Sequence, residues 1–355
     1  MANIGGMQRV ATELYEAFAQ HSEVTLFQEL LRSSWRWTHV WTPLFLGKLL
    51  FSLPDLIREQ EIETVLFSSM VTASIAPYLT RRLQKADVSL AAISHGRDVT
   101  LPVGLYQGYL PYVFRSLDLV LPVSTATATA CQERGLPSSR CCVIPNGVDV
   151  SRFDRARADI PDPLTTTDNE IVLCSVGRQV ERKGFVWFVR EVMPALPTHI
   201  HYYLAGNGPQ HDRIVEAARE QRVHSRVHLL GKIPEEELIG LYHSSDLFIM
   251  PNIPIQGDME GFGIVMLEAG ICGVPTIASR LEGIQDVITE GHNGHLVEAR
   301  NSNGFVERIC HYTHHPGELQ KAADRASHFT REKFAWPSIV DQYVRVLNRF
   351  RQESL

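Results

Sequence analysis

The sequence predicts an α/β protein built as two doubly wound, Rossmann-like domains facing a central cleft. Three observations carry this reading. Short apolar runs that end in small or polar residues alternate with helix-like stretches along the whole chain. A charged, proline-bearing stretch nearly free of large apolar residues, 154–170, interrupts the alternation once, after which it restarts. A chain of 355 residues, 44% of them hydrophobic, is also long enough for two ordinary domains with real cores.

Taken in order, "VATELYEAFAQ" opens the first half as a helix, and "ETVLFSSM", "SLAAISHG", "LDLVLPVS" and "RCCVIPNG" read as strands, with "IAPYLTRRLQKA" as a helix among them. After the linker come "IVLCSVGR", "IHYYLAGNGP", "RVHLLGKI", "DLFIMPN", "VPTIAS" and "GHLVEA", six more buried-strand candidates. The closing segment carries Ile339, Val340, Tyr343, Val346, Leu347 and Phe350 at helical spacing, a single apolar stripe. The expected domains are 1–160 and 168–334. The glycine turn at Gly5 and Gly6 arrives almost at once. Four preceding residues cannot supply the strand that leads into such a turn, so the first domain is expected to lack its first strand as written, with a gene start further upstream.

Composition excludes several classes. A net charge of −6 gives no general pull toward nucleic acid. Six cysteines without metal-type spacing point to a reduced, cytoplasmic chain. "TPLFLGKLLFSLP" is short and interrupted by Lys48 and two prolines, so no membrane-spanning helix is expected there.

In open parallel sheets, ligands bind beyond the carboxyl ends of the strands. Four such ends are chemically loaded here. "SVGRQVERKGF" brings Arg178 and Lys183, "LAGNGP" brings Asn207 and Gly208, and "SHGRD" brings His95 and Asp98. The fourth, "GDMEGFGIVMLEA", turns into a helix near Gly263 and Ile264, where N–H groups suit an anion. Two cations opposite would complete a diphosphate clamp without a metal. The same stretch sets Glu260 on a glycine loop and Glu268 eight residues later.

Those motifs, "GRQVERKG", "AGNGP", "LLGKIPEEELIGLYHSSDLFIMPN" and "EGFGIVMLEAGICGVP", together with "IGGMQRVATEL", "HGRD", "VSTAT" and "IPNGVD", stand in an order that resembles the family-4 retaining glycosyltransferases of the GT-B fold. The resemblance covers nearly the whole chain. It implies a hexose transfer from a nucleotide diphosphate sugar, with UDP or GDP as carrier, to a glycan or lipid-linked acceptor in polysaccharide or lipopolysaccharide biosynthesis, without metal or other cofactor. It further implies that Glu260 reaches the donor-sugar hydroxyls and Glu268 those of the ribose. Arg178 and Lys183 hold the distal phosphate, and the backbone at Gly5, Gly6, Gly261, Phe262, Gly263 and Ile264 approaches the diphosphate. Asn207 and Gly208 complete the donor site, and His95 lines the reacting centre. Attack is then front-side, assisted by the leaving phosphate, with no enzyme nucleophile. In this family the last helix, 336–352, crosses back onto the first domain.

Each residue also has a plainer reading: Arg178 and Lys183 as solvated charges, His95 as a strand-end histidine, "AGNGP" as a mere turn. Asp98 either caps the next helix or acts near the acceptor. Two competing functions share the architecture. A sugar-nucleotide epimerase would lack the ordered motif set, and a non-catalytic glycan-binding relic would have lost Arg178, Lys183 or Glu268. The first half mixes Arg32, Arg36 and Lys48 with Trp35, Trp37, Trp41 and Phe45, and adds Arg81, Arg82 and Lys85. Such a mixture docks peripherally to an anionic membrane, or else the aromatics belong to the core, which is the preferred expectation.

Overall fold

The computed structural model describes residues 6–31, 38–83, 88–154, 164 and 170–354. Along the chain the first half runs α1 (Gly6–Ala19), α2 (Thr38–Glu59), β1 (Thr64–Phe67), α3 (Ala76–Arg82), β2 (Ser89–Ser94), α4 (Arg97–Thr100), α5 (Gly104–Arg115), β3 (Leu119–Pro122) and α6 (Thr125–Gln132). The second half continues with β4 (Ile171–Val176), α7 (Phe185–Glu191), β5 (Ile200–Ala205), α8 (His211–Glu220), β6 (Val227–Gly231), α9 (Glu235–His243), β7 (Leu247–Met250) and α10 (Val265–Ile271). It ends with β8 (Thr276–Arg280), α11 (Ile284–Val287), β9 (Gly294–Glu298), α12 (Ser302–His314), α13 (Pro316–Phe334) and α14 (Trp336–Ser354). The chain divides into two units, one of residues 1–147 with 336–355 and one of residues 148–335. Gly5, Arg32, Trp35, Arg36, Trp37, Lys85 and most of the expected linker lie outside the described residues.

In the first unit, β1, β2 and β3 form a parallel sheet in that order. The expectation of a missing first strand falls on residues 1–5, which lie outside the described residues. "RCCVIPNG" is not a full strand: it meets β3 through one bridge, Cys141 to Val120, and two backbone hydrogen bonds. Asp118 fixes the start of β3. Its N–H donates to the Leu90 carbonyl at 2.9 Å, and its carboxylate accepts from the Leu90 N–H at 2.8 Å. The stripe of α14 buries Ile339, Val340 and Tyr343, with Tyr343 edge-on to Phe18 of α1 at 5.8 Å. Trp336 Nε1 donates to Glu13 at 2.8 Å.

Helix α2 departs from expectation. It is continuous over 22 residues with Pro43 and Pro54 inside it, and Val40–Glu59 is long and apolar enough to cross a membrane. Leu49, Leu53 and Ile57, spaced by four, are buried, whereas Val40, Trp41, Leu44 and Phe51 are exposed. Trp41 is therefore not core, and Phe45 is half-buried. An apolar outer face remains because a helix of this composition has more apolar residues than one buried stripe can hold.

The second unit is a six-stranded, all-parallel sheet in the order β6-β5-β4-β7-β8-β9. All six strands fall where the apolar runs predicted them. Helices cover both faces, which is why the strands read as continuous apolar runs without alternation. Asp246 repeats the device of Asp118. It donates from its N–H to the Val172 carbonyl at 2.9 Å and accepts the Val172 N–H at 2.7 Å. The winding reverses between β4 and β7, and such a reversal opens the crevice where ligands sit.

Candidate active site

The carboxyl ends of β4 and β7 flank that reversal and bring the predicted charges together. After β4 the chain makes a tight turn, Glu181–Lys183, closed by Gly184 in a left-handed conformation. The turn directs Lys183 inward: it is only 6% exposed, and its stem lies against Gly177. Its Nζ is 2.6 Å from Glu260 Oε2. The same oxygen receives Arg182 at 2.5 Å and Asn252 Nδ2 at 3.2 Å, while Arg182 also reaches Asp258 at 3.2 Å.

Burial draws the Lys183 ammonium down from the usual lysine range, against the opposing pull of Glu260. Burial also pushes the Glu260 carboxyl up, but Lys183 and Arg182 outweigh it and hold it below its ordinary value. Glu260 is therefore ionised at neutral pH, and its oxygen 2.6 Å from Nζ favours the charged form of Lys183. A desolvated ion pair at a strand end is an incoming anion's natural target, because the lysine can change partners without first being dehydrated.

Arg178 leaves the same strand and is exposed. Next to it, the "AGNGP" loop packs backbone against backbone on residues 177–179. A Cβ on Gly206 would stand 2.0 Å from the Gly177 carbonyl oxygen, and one on Gly208 would stand 2.4 Å from that of Gln179. Gln179 locks the contact: its N–H donates to Asn207 O at 3.0 Å and its Nε2 to Gly206 O at 2.7 Å. The glycines thus shape the loop that carries Arg178, a role beyond turning the chain.

Glu260 lies on the loop and Glu268 inside α10, the division predicted from the flanking glycines. Glu268 is 1% exposed. Tyr242 of α9 donates to its Oε2 at 2.7 Å, and the Arg152 guanidinium is 3.9 Å from its Oε1. Burial, and then the Glu268 charge, push the Tyr242 hydroxyl far above its usual range, so it stays a donor. Arg152 also pairs with Glu235 and lies 5.2 Å over the Phe153 ring. Phe262 is buried, its ring edge-on to Phe334 at 6.4 Å, so its side chain anchors the loop and only its backbone is left for a donor. Gly263 takes φ +87°, and Ile264 precedes the first residue of α10.

The comparisons with known proteins agree with this geometry. The family models described as "Glycosyltransferase Family 4" and "Glycosyl transferases group 1" match residues 4–152 and 170–315. A GDP-mannose-dependent alpha-(1-6)-phosphatidylinositol monomannoside mannosyltransferase from Mycobacterium tuberculosis is 30% identical over 268 residues, covering 72% of this chain and 68% of that protein. The chain belongs to glycosyltransferase family 4. The Mycolicibacterium smegmatis protein of the same name is 29% identical over 293 residues, covering 79% of this chain and 75% of that one. Anabaena HepE, solved in complex with UDP, superposes with a TM-score of 0.76 at 19% identity, covering 98% of each chain. The fold is GT-B, and the protein is a glycosyltransferase.

On the first unit of this family-4 enzyme, His95 and Asp98 are both buried at the end of β2. His95 Nε2 donates to the Ser68 carbonyl at 3.0 Å, which fixes the ring. Asp98 accepts the N–H of His95 at 2.8 Å on one oxygen and that of Met70 at 3.0 Å on the other. With both oxygens holding backbone N–H groups, Asp98 is a clamp between two strand ends; it lies inside α4, whose N-cap is Gly96, so it is not the helix cap that the sequence allowed. The sequence reading missed Arg182, Asn252, Tyr242, Arg152, Gln179 and Glu282. Arg182 and Asn252 stood inside quoted motifs and could have been found by asking what else neutralises a buried glutamate. Gln179 and Tyr242 also stood inside quoted motifs, with nothing there to mark their partners, and Arg152 and Glu282 carry no local sequence signal.

Proposed function

We propose that the enzyme transfers a hexose, with retention, from a UDP- or GDP-sugar to a glycan or lipid-linked acceptor of a cell-surface polysaccharide, at the cytoplasmic face of a membrane and without a metal. The observation that carries this is the buried Lys183–Glu260 pair at 2.6 Å beside Gly177 and the exposed Arg178. A donor places its distal phosphate at Lys183 and Arg178 and a sugar diol at Glu260, so each charged group exchanges its present partner for a ligand of matching chemistry. As the bond from the anomeric carbon to the phosphate oxygen breaks, negative charge grows on that phosphate, and the two cations stabilise it. The acceptor hydroxyl attacks from the same face and its proton passes to the departing phosphate oxygen. Glu268 accepts from the ribose hydroxyls, Asn207, Gly208 and the backbone of residues 261–264 line the donor, and His95 lines the reacting centre.

Relatives act with GDP-mannose, and a fold neighbour was solved with UDP-glucose, so the carrier stays open between UDP and GDP. The exposed Trp41, Leu44 and Phe51 of α2, with Lys48 and with Arg82 4.8 Å over the Phe51 ring, favour a lipid-linked acceptor met at an anionic membrane surface. Radiolabelled UDP-glucose and GDP-mannose, incubated with the enzyme, excess EDTA and a bacterial lipid extract, test the proposal. Label transferred to lipid or glycan is expected from one donor. Transfer from neither donor in EDTA, with transfer restored by added magnesium, would overturn the metal-free reading.

A further inference from the structure

The turn that follows β8 holds a feature that the donor-site reading does not use. Glu282 has φ +47°, a left-handed conformation that strains an L residue and suits glycine. Of the three other non-glycine residues of this kind among the described residues, Glu61 and Arg222 follow the ends of helices α2 and α8, where such a conformation terminates the helix, and Arg300 lies in the turn between β9 and α12. Glu282 ends no helix. Its Oε2 accepts the backbone N–H of Glu260 at 2.5 Å, and the N–H of the next residue, Gly283, donates to the Glu260 carbonyl at 3.2 Å. The two bonds take both backbone groups of residue 260. The turn sits so close that a Cβ on Gly283 would be 2.1 Å from the Gly261 carbonyl oxygen.

We infer that Glu282 is a positioning residue for Glu260: with Gly283 it closes a two-bond clamp on the backbone of residue 260 and keeps that carboxylate in line with Lys183 and the donor sugar. The side chain explains why a strained residue stands where glycine would be relaxed. Glycine could supply the Gly283-side bond but not the carboxylate. The carboxylate also faces Glu260, Arg182 and Asp258. Burial, and then the neighbouring Glu260 charge, raise its pKa, so this placement is held against repulsion by the N–H bond it accepts and by Arg182.

The effect on turnover rests on the proposed contact of Glu260 with the donor sugar; the clamp itself does not. E282G, E282Q and E260Q are therefore compared with wild type in two measurements. Hydrogen exchange of the peptide spanning residues 256–264 reads the clamp directly. Release of UDP from UDP-glucose or GDP from GDP-mannose, whichever the wild type turns over, reads the positioning.

E282G should exchange faster in this peptide and keep or raise its Tm, because the backbone strain is relieved. It should lose about tenfold to a hundredfold in kcat with the affinity for free UDP or GDP unchanged. E282Q keeps an oxygen for the Glu260 N–H and should restore both exchange protection and most of the turnover. Unchanged exchange in E282G would overturn the clamp. A fall in Tm that tracks the fall in kcat, in E282G and E282Q alike, would overturn positioning in favour of a merely structural role. E260Q with wild-type turnover, alongside faster exchange in E282G, would leave the clamp standing and reject the reading of Glu260 on the sugar.

Discussion

The two units solve one problem identically and another differently. At the amino ends of their strands both use the same device, an aspartate that exchanges backbone hydrogen bonds with the neighbouring strand: Asp118 with Leu90, Asp246 with Val172. At the carboxyl ends they diverge. The first unit gives the carboxylate of Asp98 wholly to backbone N–H groups. The second leaves Glu260 to side-chain cations and an amide, Lys183, Arg182 and Asn252. A carboxylate bound to backbone holds a fold, because its partners cannot leave. One bound to side chains can exchange its partners for a ligand, and that is the physical mark of a site. The same contrast appears on the surface, where the first unit exposes an apolar helix face and the second confines its unusual chemistry to buried strand ends.

The largest expected effect comes from removing the exchangeable cations. Lys183→Ala should cut kcat on the order of a hundredfold or more, as the loss of a transition-state donor does. Arg182 and Asn252 remain on Glu260, so the variant should stay folded by circular dichroism. Arg178→Ala should act similarly, and the double variant should lose less than the product of the two losses, because both groups serve one phosphate. Losses that multiply would assign them separate tasks.

The two glutamates should fail in different ways. Glu268→Gln should weaken free UDP or GDP in calorimetry, whereas Glu260→Gln should leave that affinity nearly intact and lower turnover. Tyr242→Phe, which removes the 2.7 Å donor from Glu268, should reproduce part of the Glu268 effect and narrow the preference for UDP over 2′-deoxy-UDP, or for GDP over 2′-deoxy-GDP. Equal loss of free-nucleotide affinity in both glutamine variants would remove the distinction.

The smallest effect concerns stability. On β5 and β6, His201 Nδ1 and His228 Nε2 are 3.0 Å apart, with Glu170 3.9 Å from His201. Burial, and then His201, lower the pKa of His228 below the ordinary histidine value. The folded state then binds fewer protons than the unfolded chain near and below that value. Stability is full above the ordinary histidine range and falls as pH drops through it. Tm should decline more for wild type than for His228→Gln between about pH 7.5 and about pH 5.5. Parallel declines would show that the pair carries no such linkage.

How much of this was legible in the sequence follows the same division. All six strands of the second unit were readable, because strands buried on both faces leave unbroken apolar runs. Lys183, Arg178, Glu260 and Glu268 were readable because their motifs place charges at strand ends among glycines. "RCCVIPNG" misled because an apolar run says nothing about how much of it finds a pairing partner. Helix α2 misled because prolines were taken as interruptions, while both fit inside a helix that is half solvent-facing. Glu282 and Arg152 were invisible because their partners lie 22 and 116 residues further along or back in the chain, and only the fold brings them to Glu260 and Glu268.

The central claim is that the buried Lys183 and the exposed Arg178, beyond the carboxyl end of β4, form the diphosphate site without a metal. Calorimetric titration of UDP, GDP, uridine and guanosine into wild type and Lys183→Met, in excess EDTA, tests it most directly. One diphosphate should bind to wild type in EDTA, and Lys183→Met should weaken it by about tenfold or more, a loss of about 1.4 kcal/mol, while the affinity for the matching nucleoside stays unchanged. Binding that requires added magnesium, or a Lys183→Met variant that binds the diphosphate as well as wild type, would contradict the account.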